Sequence, residues 1–202
     1  MLSDPPTSAE KQPKQARSIA RRQALLDHGV KLFNTHGVDD VSIQDITQAV
    51  GFSTGSFYSY FADKTEYFVA VQASVAATQN AIAAETFAKD RIALLGLSDR
   101  LRLCLDYSIT YFRQHTGLVH SALSYERRIP AGWQPNRETS AMIVSLATAG
   151  LPPAKARKLE IAIQLAFGLL VNALLHDPGP IRLQDNDLAE QVLAALTPYL
   201  EH

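Results

Sequence analysis

The sequence has little cysteine, no uninterrupted apolar stretch of membrane-spanning length and no apolar leader. Its single cysteine, Cys104, excludes an internal disulfide and is typical of a reducing compartment. The first twenty residues are polar and contain proline, so we expect no signal peptide. Polar residues interrupt the longest apolar segment, 159–175, which predicts a buried helix and no membrane partner. Together these absences predict a cytoplasmic protein.

Residues 22–61 have the pattern of a helix-turn-helix. Leu26, Val30 and Phe33 form an apolar stripe at helical spacing. The stripe ends at Gly37, a residue that can adopt the left-handed backbone with which helices end. This pattern predicts a first helix.

Two short helices are predicted next. Ser42 stands three residues before Asp45, a capping-box-like start for a second helix that ends at Gly51. Ser53 or Thr54 is expected to cap a third. A helix, a tight turn containing glycine and another helix define the motif.

The third predicted helix has the chemistry of a DNA-binding surface. Its outward residues are small or able to form hydrogen bonds: Thr54, Gly55, Ser56, Tyr58 and Ser59. Hydroxyls bond to phosphate oxygens or base edges, and a helix N-terminus presents free amides and a partial positive charge to phosphate. The alternative is a solvated face on a small helical hairpin, which leaves the neighbouring basic segment without a role.

Positive charge is concentrated just before this motif. The whole chain carries 19 basic and 20 acidic residues, but residues 11–31 have a net charge of +5. In that segment Asp27 is opposed by six basic residues, namely Lys11, Lys14, Arg17, Arg21, Arg22 and Lys31. A basic end on an acidic body favours a polyanion bound through one surface.

Residues 51–55 also satisfy the G-x-S-x-G pattern of hydrolases, which would make Ser53 a nucleophile. That motif requires a buried strand before the serine and a βα fold around it. The preceding residues, 42–50, have helical periodicity instead. We therefore expect no catalytic residue and no enzyme activity, and a small hydrolase remains a disfavoured alternative.

Residues 25–71 contain several anchors at fixed spacing after a leucine-rich first helix. They are Phe33, Gly37, Ser42, Ile46, Gly51, Ser53, Gly55, Phe57, Tyr58, Tyr60, Phe61 and Lys64. In this segment the sequence resembles the DNA-binding domain of the TetR family of bacterial transcriptional regulators. The resemblance implies an all-α homodimer that represses a promoter and releases it when a small molecule enters its C-terminal domain.

The resemblance also implies roles for individual residues. Phosphate contacts are expected from Ser42, Tyr58 and Lys64. Base contacts are expected from Gln44, Thr54, Ser56 and Ser59. The predicted DNA-binding set is completed by Arg17, Ser53, Gly55 and Tyr60. One departure is Gly29, where the family usually has alanine; inside a helix it should cost about 1 kcal/mol of stability.

Three segments are predicted in the 202 residues, 47% of which are hydrophobic. Residues 1–15 are expected to be a disordered basic arm, acting either as a solubilising tail or as a minor-groove contact. Residues 16–62 form the helix-turn-helix domain, and residues 63–202 form a helical domain for ligand binding and dimerisation. Asp63 is expected to cap a helix that joins the two domains and runs to about residue 85.

Further helices are predicted along the second domain. Ser98 is expected to cap the first, another runs from Thr116 to about Arg127, and others span 136–149 and 152–176. Asn186 or Asp185 is expected to cap a last helix that runs to about Leu200. A loop containing Pro130, Gly132 and Pro135 is expected before the helix at 136.

The last two predicted helices are candidates for subunit pairing because they have apolar residues on more than one face. The predicted interface comprises Leu159, Ile163, Phe167, Leu170, Leu174, Leu188, Val192, Leu196 and Tyr199. A second stripe on the first of these helices contains Ile161, Leu165 and Leu169. Two helices from each chain would close a two-fold four-helix bundle; the alternative is a large monomeric core.

Aromatic residues with polar groups predict a small-molecule pocket in the second domain. The candidates are Tyr67, Phe68, Tyr107, Tyr111, His115, His120, Tyr125, Trp133, Met142 and Phe167. For any one of them, ordinary core packing is the alternative. His115 and His120 with Glu126 suggest a metal site, but i, i+5 spacing separates the histidines by about 140° on a helix. We expect no metal and no cofactor.

The sequence therefore predicts a dimeric repressor that binds a palindromic operator in double-stranded DNA and responds to an unidentified inducer. An activator or DNA-binding regulator switched by a protein partner, without a small-molecule ligand, remains the alternative. An enclosed cavity in the helical domain would discriminate between them.

Overall fold

The computed structural model describes residues 14–176 and 179–201, and over those residues its regular secondary structure is entirely helical. Residues 1–13 of the predicted arm lie outside the described residues, and a helix already begins at Lys14. The helices are α1 Lys14–Thr35, α2 Ile43–Gln48, α3 Thr54–Tyr58, α4 Lys64–Thr86, α5 Lys89–Ala93, α6 Leu97–Gln114, α7 Thr116–Ser124, α8 Pro130–Thr148, α9 Pro153–Leu175 and α10 Leu188–Glu201. The all-α prediction is confirmed.

Side-chain caps start the two short helices of the amino-terminal head, which we define as α1–α3. The backbone N–H of Asp45 donates to Ser42 Oγ at 3.1 Å, and the backbone N–H of Ser42 donates to Asp45 Oδ2 at 2.8 Å. At α3 the Ser56 N–H donates to Ser53 Oγ at 3.2 Å. Between the helices Gly51 has a φ of 68°, which glycine adopts without strain. The predicted helix-turn-helix is thus confirmed.

Aromatic residues join the head to α4. The rings of Phe33, Phe57 and Phe61 have centroids 5.8, 5.4 and 5.1 Å from that of Tyr67. The Tyr67 hydroxyl donates to the carbonyl of Leu25 on α1 at 2.6 Å, and this bond is buried. The first turns of α4 therefore form part of the head's core.

α4 continues from the head into the body, which we define as α5–α10. Its buried residues Val71, Gln72, Val75 and Gln79 follow helical spacing. It packs against α1 on one side and α8 on the other. A change in α8 can therefore reach the head through one continuous helix.

The expected loop at 130–135 is wrong, because α8 begins at Pro130 and carries Pro135 within it. Pro130 is the first residue of α8, where N–H groups lack intrahelical partners, whereas Pro135 lies inside the helix and removes one backbone hydrogen bond. A Cβ on Gly132 would lie 2.8 Å from Phe68, so glycine lets α8 approach α4 closely. This tertiary contact favours helix where local sequence predicted a loop.

Two further details of the body differ from expectation. Gly96 precedes the first residue of α6 without a side-chain cap, so the predicted start at Ser98 is wrong. The short helix α5 was not predicted.

α9 packs against α6, α8 and α10. Among the helices of the described ranges, it alone is long and apolar enough to cross a membrane. Such a helix is also what the core of a helical protein contains, and α9 packs on α7 as well as on these three helices.

Candidate nucleic-acid interface

A buried residue of α3 determines which face of this helix points to solvent. Phe57 is fully buried, whereas Thr54 and Gly55 are exposed and Tyr58 is 54% exposed. The Tyr58 ring packs edge-on against Phe57, with centroids 5.5 Å apart. The outer face of α3 therefore offers small residues and one aromatic hydroxyl to solvent.

The serines of this helix already have partners. Ser53 Oγ caps the helix and lies 3.0 Å from Ser56 Oγ, while Ser59 Oγ donates to the Ser56 carbonyl at 2.6 Å. Ser53 directly follows α2 and its turn rather than a strand, so its position is that of a helix cap and not a nucleophile elbow.

α2 lies next to α3 and contributes Gln44, whose side chain is exposed. Ser42 is also exposed, and its hydroxyl donates to Asp45 Oδ2 at 2.6 Å. These hydrogen bonds hold the pKa of Asp45 below its usual value. The carboxylate therefore stays ionised beside the start of α2, where the helix dipole favours it.

Lys64 is bonded inside the protein rather than extended into solvent. Its ammonium donates to the Val41 carbonyl at 2.9 Å and to the Asp39 carbonyl at 3.4 Å. The side chain is half-buried. Lys64 thus joins the start of α4 to the loop before α2 and so helps to position α2 and α3. Its role as a phosphate contact stays a prediction.

Two arginines of α1 lie against aromatic residues on either side of α3 in the sequence. The Arg21 guanidinium lies 5.5 Å from the ring centroid of Phe52, and that of Arg22 lies 5.3 Å from Phe61. Arg17 is exposed one turn earlier, and Ser18 Oγ donates to the Tyr60 hydroxyl at 3.4 Å. These contacts place the positive charge of α1 next to the turn and helix that would meet DNA. Sequence reasoning counted Arg21 and Arg22 only as charge, because their aromatic partners lie more than thirty residues away.

A polar junction connects the head to α7. The Leu118 N–H donates to Asn34 Oδ1 at 3.1 Å, and Asn34 Nδ2 donates to the Gln114 carbonyl at 3.3 Å. A Cβ on Gly117 would lie 2.4 Å from the Asn34 carbonyl oxygen, so glycine allows this approach.

A second junction joins Tyr125, at the end of α7, to the head, outside the lining of the cavity described below. Its hydroxyl donates to Asp39 Oδ2 at 2.8 Å, and Arg128 Nη1 lies 3.2 Å from the same oxygen. Hydrogen bonds from Tyr125 and then Arg128 hold the pKa of Asp39 below its usual value.

The body contains a cavity of about 350 Å³ between α4, α6, α8 and α9. Four residues predicted for a ligand pocket line it: Tyr107, Tyr111, Trp133 and Phe167. Burial raises the pKa of Tyr107 to about 12 and also raises that of Tyr111, so both hydroxyls remain neutral.

Apart from Tyr107 and Tyr111, the polar residues of the cavity were not predicted. Asn136, Thr139, Gln79 and the pair Arg157 and Glu160 line it. Asn136 and Thr139 follow the segment that was expected to be a loop. Nothing in their local pattern separates them from ordinary surface residues of a helix.

Other pocket predictions are corrected. Tyr67 and Phe68 are fully buried in the core at the junction of the head and α4. His115 lies behind the cavity wall, its ring centroid 5.2 Å from that of Tyr111. His120 is exposed, and Met142 is half-buried outside the cavity lining.

Several predicted interface residues belong to the core of a single chain. Leu159, Leu170, Leu188 and Val192 are buried within the chain, so their prediction as interface residues is wrong. Ile163 and Phe167 line the cavity. Leu174 and Leu196 are half-buried, and Tyr199 is 38% exposed.

The second stripe of α9 faces outward instead. Leu165 is 54% exposed, and Ile161 and Leu169 are half-buried on either side of it. The sequence showed both stripes, but it could not say which one the protein's own core uses.

Over residues 14–176 and 179–201, the structure brings no three His, Cys, Asp or Glu side chains together as a metal site would require. His115 separates α6 from α7 and lies in their junction.

Comparison with known proteins gives concordant results. Residues 25–71 match the model of the family described as bacterial regulatory proteins, tetR family. An uncharacterized HTH-type transcriptional regulator of Bacillus subtilis (strain 168), YwcC, is 34% identical over 55 residues. That alignment covers 27% of this chain and about a quarter, 25%, of the Bacillus protein.

Solved structures match over most of the chain. A putative TetR-family transcriptional regulator from Mesorhizobium loti MAFF303099 has a TM-score of 0.68 at 17% identity, covering 92% of this chain and 97% of its own. A tetR-family transcriptional regulator from Streptomyces coelicolor has a TM-score of 0.66 at 19% identity, and the match covers 90% of this chain and 79% of the Streptomyces protein. Salmonella enterica GusR has a TM-score of 0.62 at 17% identity, and the match covers 96% of this chain and 100% of GusR.

Proposed function

We propose that this chain, which has a TetR-family DNA-binding domain at residues 25–71 and the fold of TetR-family regulators, is a cytoplasmic transcriptional repressor. It binds a palindromic operator in duplex DNA as a homodimer and is released by a small molecule. The observation that carries the proposal is the exposed outer face of α3, bordered by the arginines of α1.

The chemistry of this surface supports binding in the major groove. Thr54 and Gly55 allow close approach of the helix, and Gln44 on the adjacent α2 can form paired hydrogen bonds with adenine. Arg17, Arg21 and Arg22 supply the charge that holds phosphates on either side of the groove. The proposed base contacts therefore lie on α2 and α3, and α1 adds positive charge for the phosphates beside them.

The outward faces of α9 and α10 support a two-fold dimer. α9 is apolar, yet only 28% of its most apolar segment is buried within the chain. Leu165 on α9 and Tyr199 on α10 are among the large hydrophobic side chains that remain exposed. A second copy of the same two helices would cover these faces and close a four-helix bundle.

The cavity favours control by a small ligand over control by a protein partner. Its volume of about 350 Å³ falls within the range of ligand pockets. A ligand that binds one arrangement of α4 more tightly than another will shift α4 toward that arrangement. Because Lys64 and Tyr67 bind the first turns of α4 to the head, such a shift moves α2 and α3 and changes the separation of the two recognition helices.

Selection of DNA from fragments of the source chromosome tests this function. Purified protein should retain fragments that share one inverted repeat. Gly55→Glu, which places a carboxylate on the outer face of α3, should abolish retention, whereas Ala93→Glu at the exposed end of α5 should not. Retained DNA with no shared sequence, or equal retention by the two variants, would contradict the proposal.

A further inference from the structure

We infer that the cavity takes an uncharged, mainly apolar molecule carrying one hydrogen-bonding group. This inference rests on the proposed function, because it treats the cavity as the site of the regulatory ligand. It adds the chemical class of that ligand, which follows from the walls.

Four of the polar residues that line the cavity form two hydrogen-bonded pairs, and Ser108, Ser140 and Gln164 also line it. The Tyr111 hydroxyl donates to Asn136 Oδ1. The Tyr107 hydroxyl lies 2.9 Å from the Gln79 carbonyl oxygen and 3.0 Å from Gln79 Oε1, and both oxygens are acceptors for it. Between these pairs the walls are apolar and aromatic, with Trp133 and Phe167 among them. A ligand therefore meets few unsatisfied polar atoms and mostly hydrocarbon.

Charge in the lining is confined to one pair. Among the described lining residues only Arg157 and Glu160 carry charge, and Arg157 Nη1 lies 3.3 Å from Glu160 Oε2. Their side chains are 73% and 39% exposed, so the pair lies at the edge of the cavity. An ion in the interior would find no counter-charge, and burying an unpaired ion is strongly unfavourable.

Volume limits the size of the ligand. The cavity measures about 350 Å³, whereas a dry engineered cavity of about 150 Å³ accommodates benzene. A compact skeleton larger than one ring, with a single hydroxyl or carbonyl directed at Tyr111 and Asn136, fits these dimensions.

Three probes with one skeleton test the charge preference: 1-adamantanemethanol, 1-adamantanecarboxylate and 1-adamantanemethylammonium. Trp133, the single tryptophan of the chain, lines the cavity and reports binding through its emission. The alcohol should bind at least tenfold more tightly than either ion. Equal or tighter binding of an ion, or no response to any of the three, would overturn the inference.

Two variants show where the probe binds. Ser140→Phe fills the cavity from α8 and should abolish the response to the alcohol, whereas Ala141→Phe on the exposed side of the same helix should preserve it. DNA binding by each protein is measured in parallel. Intact DNA binding without the predicted probe preference rejects the ligand class alone, whereas absence of DNA binding in the wild type rejects the proposed function.

We also propose, from the hydrogen bonds rather than the cavity walls, that Gln72 is a positioning residue that couples α8 to the head. Gln72 lies on α4 and is 1% exposed. Asn136 Nδ2 donates to Gln72 Oε1 at 3.2 Å, and Gln72 Nε2 donates to the Leu118 carbonyl at 3.0 Å. The N–H of the same Leu118 donates to Asn34 of α1.

These bonds form a continuous path from the cavity to the head. Asn136 lines the cavity and accepts from Tyr111, while Asn34 lies on α1 near its carboxyl end. Because both ends of the Gln72 amide are engaged, a displacement of Asn136 must either move α7 or break a buried bond. Breaking such a bond leaves an unsatisfied buried amide, which is unfavourable.

Hydrogen exchange tests this coupling without any ligand, because linkage is reciprocal. Binding of the selected DNA should change exchange of the α8 amides at residues 136–144 in the wild type. Gln72→Met should reduce that change at least threefold, while Thr78→Val on the exposed side of α4, outside the cavity lining, should retain it.

Asn34→Leu, which breaks the path at the head, supplies a second variant and should act like Gln72→Met. No change in α8 on DNA binding, or the same change in all variants, would overturn the coupling. A wild-type protein that binds no DNA would instead reject the proposed function.

Discussion

Gly29 allows α4 to lie directly against α1. A Cβ at this position would be 2.4 Å from the Tyr67 hydroxyl oxygen and 2.6 Å from Val71 Cγ2. The expected benefit of alanine in a helix is therefore outweighed at this position by contact with α4. Sequence patterns could not show this, because Tyr67 lies 38 residues away.

Gly29→Ala is expected to lower the free energy of unfolding by about 1–3 kcal/mol, as overpacking does in well-packed cores. Gly55→Ala is the control, because the nearest atom to its added Cβ is 3.8 Å away. That change should leave stability unchanged or raise it by up to about 1 kcal/mol. Urea denaturation measures both, and similar effects of the two substitutions would contradict the account of Gly29.

Tyr58 and Thr54 are expected to affect DNA binding differently. Tyr58→Phe removes an exposed hydroxyl proposed to bind phosphate, so affinity for operator and random DNA should fall by the same factor. Thr54→Ala should instead change the preference among operator variants by about 1–3 kcal/mol at one base pair. Fluorescence anisotropy titrations on both kinds of DNA measure these effects; loss confined to the operator for Tyr58→Phe would contradict the assignment.

The start of a helix could be predicted where the capping residue and its hydrogen-bond partner are close in the sequence. The caps at Ser42, Ser53 and Asp63 each accept a hydrogen bond from a residue three positions ahead, as their spacing predicts. The first turns of α8 were predicted as a loop because Gly132 and Pro135 disfavour a helix locally, whereas the close approach of Gly132 to Phe68 on α4 is a tertiary contact. Lys64 is similar: its position was recognised, but its carbonyl partners lie 23 and 25 residues away.

The loop between α1 and α2 should respond to acid. The pKa of Asp39 is lowered from its ordinary value of 3.8 by hydrogen bonds from Tyr125 and Arg128. A carboxyl with a lowered pKa in the folded state contributes stability above its unfolded value, and that contribution is lost as the pH falls through the folded value. Acidification below pH 3.8 should thus weaken the hydrogen bond between Tyr125, at the end of α7, and Asp39 of the head.

Asp39→Asn should reduce the pH dependence of stability in this window and lower stability near neutral pH by a small amount, because the carboxylate is exposed. Urea denaturation at pH 6 and pH 3 measures the difference, with Asp90→Asn on α5 as the charge-matched control. An Asp39→Asn protein as sensitive to acid as the wild type would show that this link contributes nothing.

At the scale of the whole molecule, the sequence predicted pairing through two apolar helices, and part of the stripe of α9 named for the interface lies in the chain's own core. Leu159 and Leu170 are fully buried in the core of the chain, whereas Leu165 is 54% exposed. Both stripes have helical spacing, so periodicity alone cannot assign one to the core. Only the position of α9 against α6 and α10 decides this.

Leu165→Glu is expected to convert the dimer into a monomer, because a charge would be buried against the partner helix. Leu94→Glu is the control, since Leu94 is 88% exposed at the end of α5, outside α9 and α10. Sedimentation equilibrium measures both. A dimeric Leu165→Glu protein would place the subunit interface elsewhere.

The rotation of each helix about its own axis decides which aromatic residues line the cavity, and the sequence does not show that rotation. Aromatic composition identified Tyr107, Tyr111, Trp133 and Phe167, but several other candidates lie in the core or at the head. Which aromatic residues converge depends on how four helices are rotated against one another. No local pattern records that rotation, so the cavity could be anticipated while most of its polar residues could not.

Two copies of α3 are proposed to bind one face of a DNA duplex. Hydroxyl-radical footprinting on a retained chromosomal fragment tests this directly. Two protected patches related by two-fold symmetry are expected, with centres about 34–36 Å apart or a whole multiple of that distance. A single patch, uniform protection along the fragment, or a footprint unchanged by Gly55→Glu would contradict it.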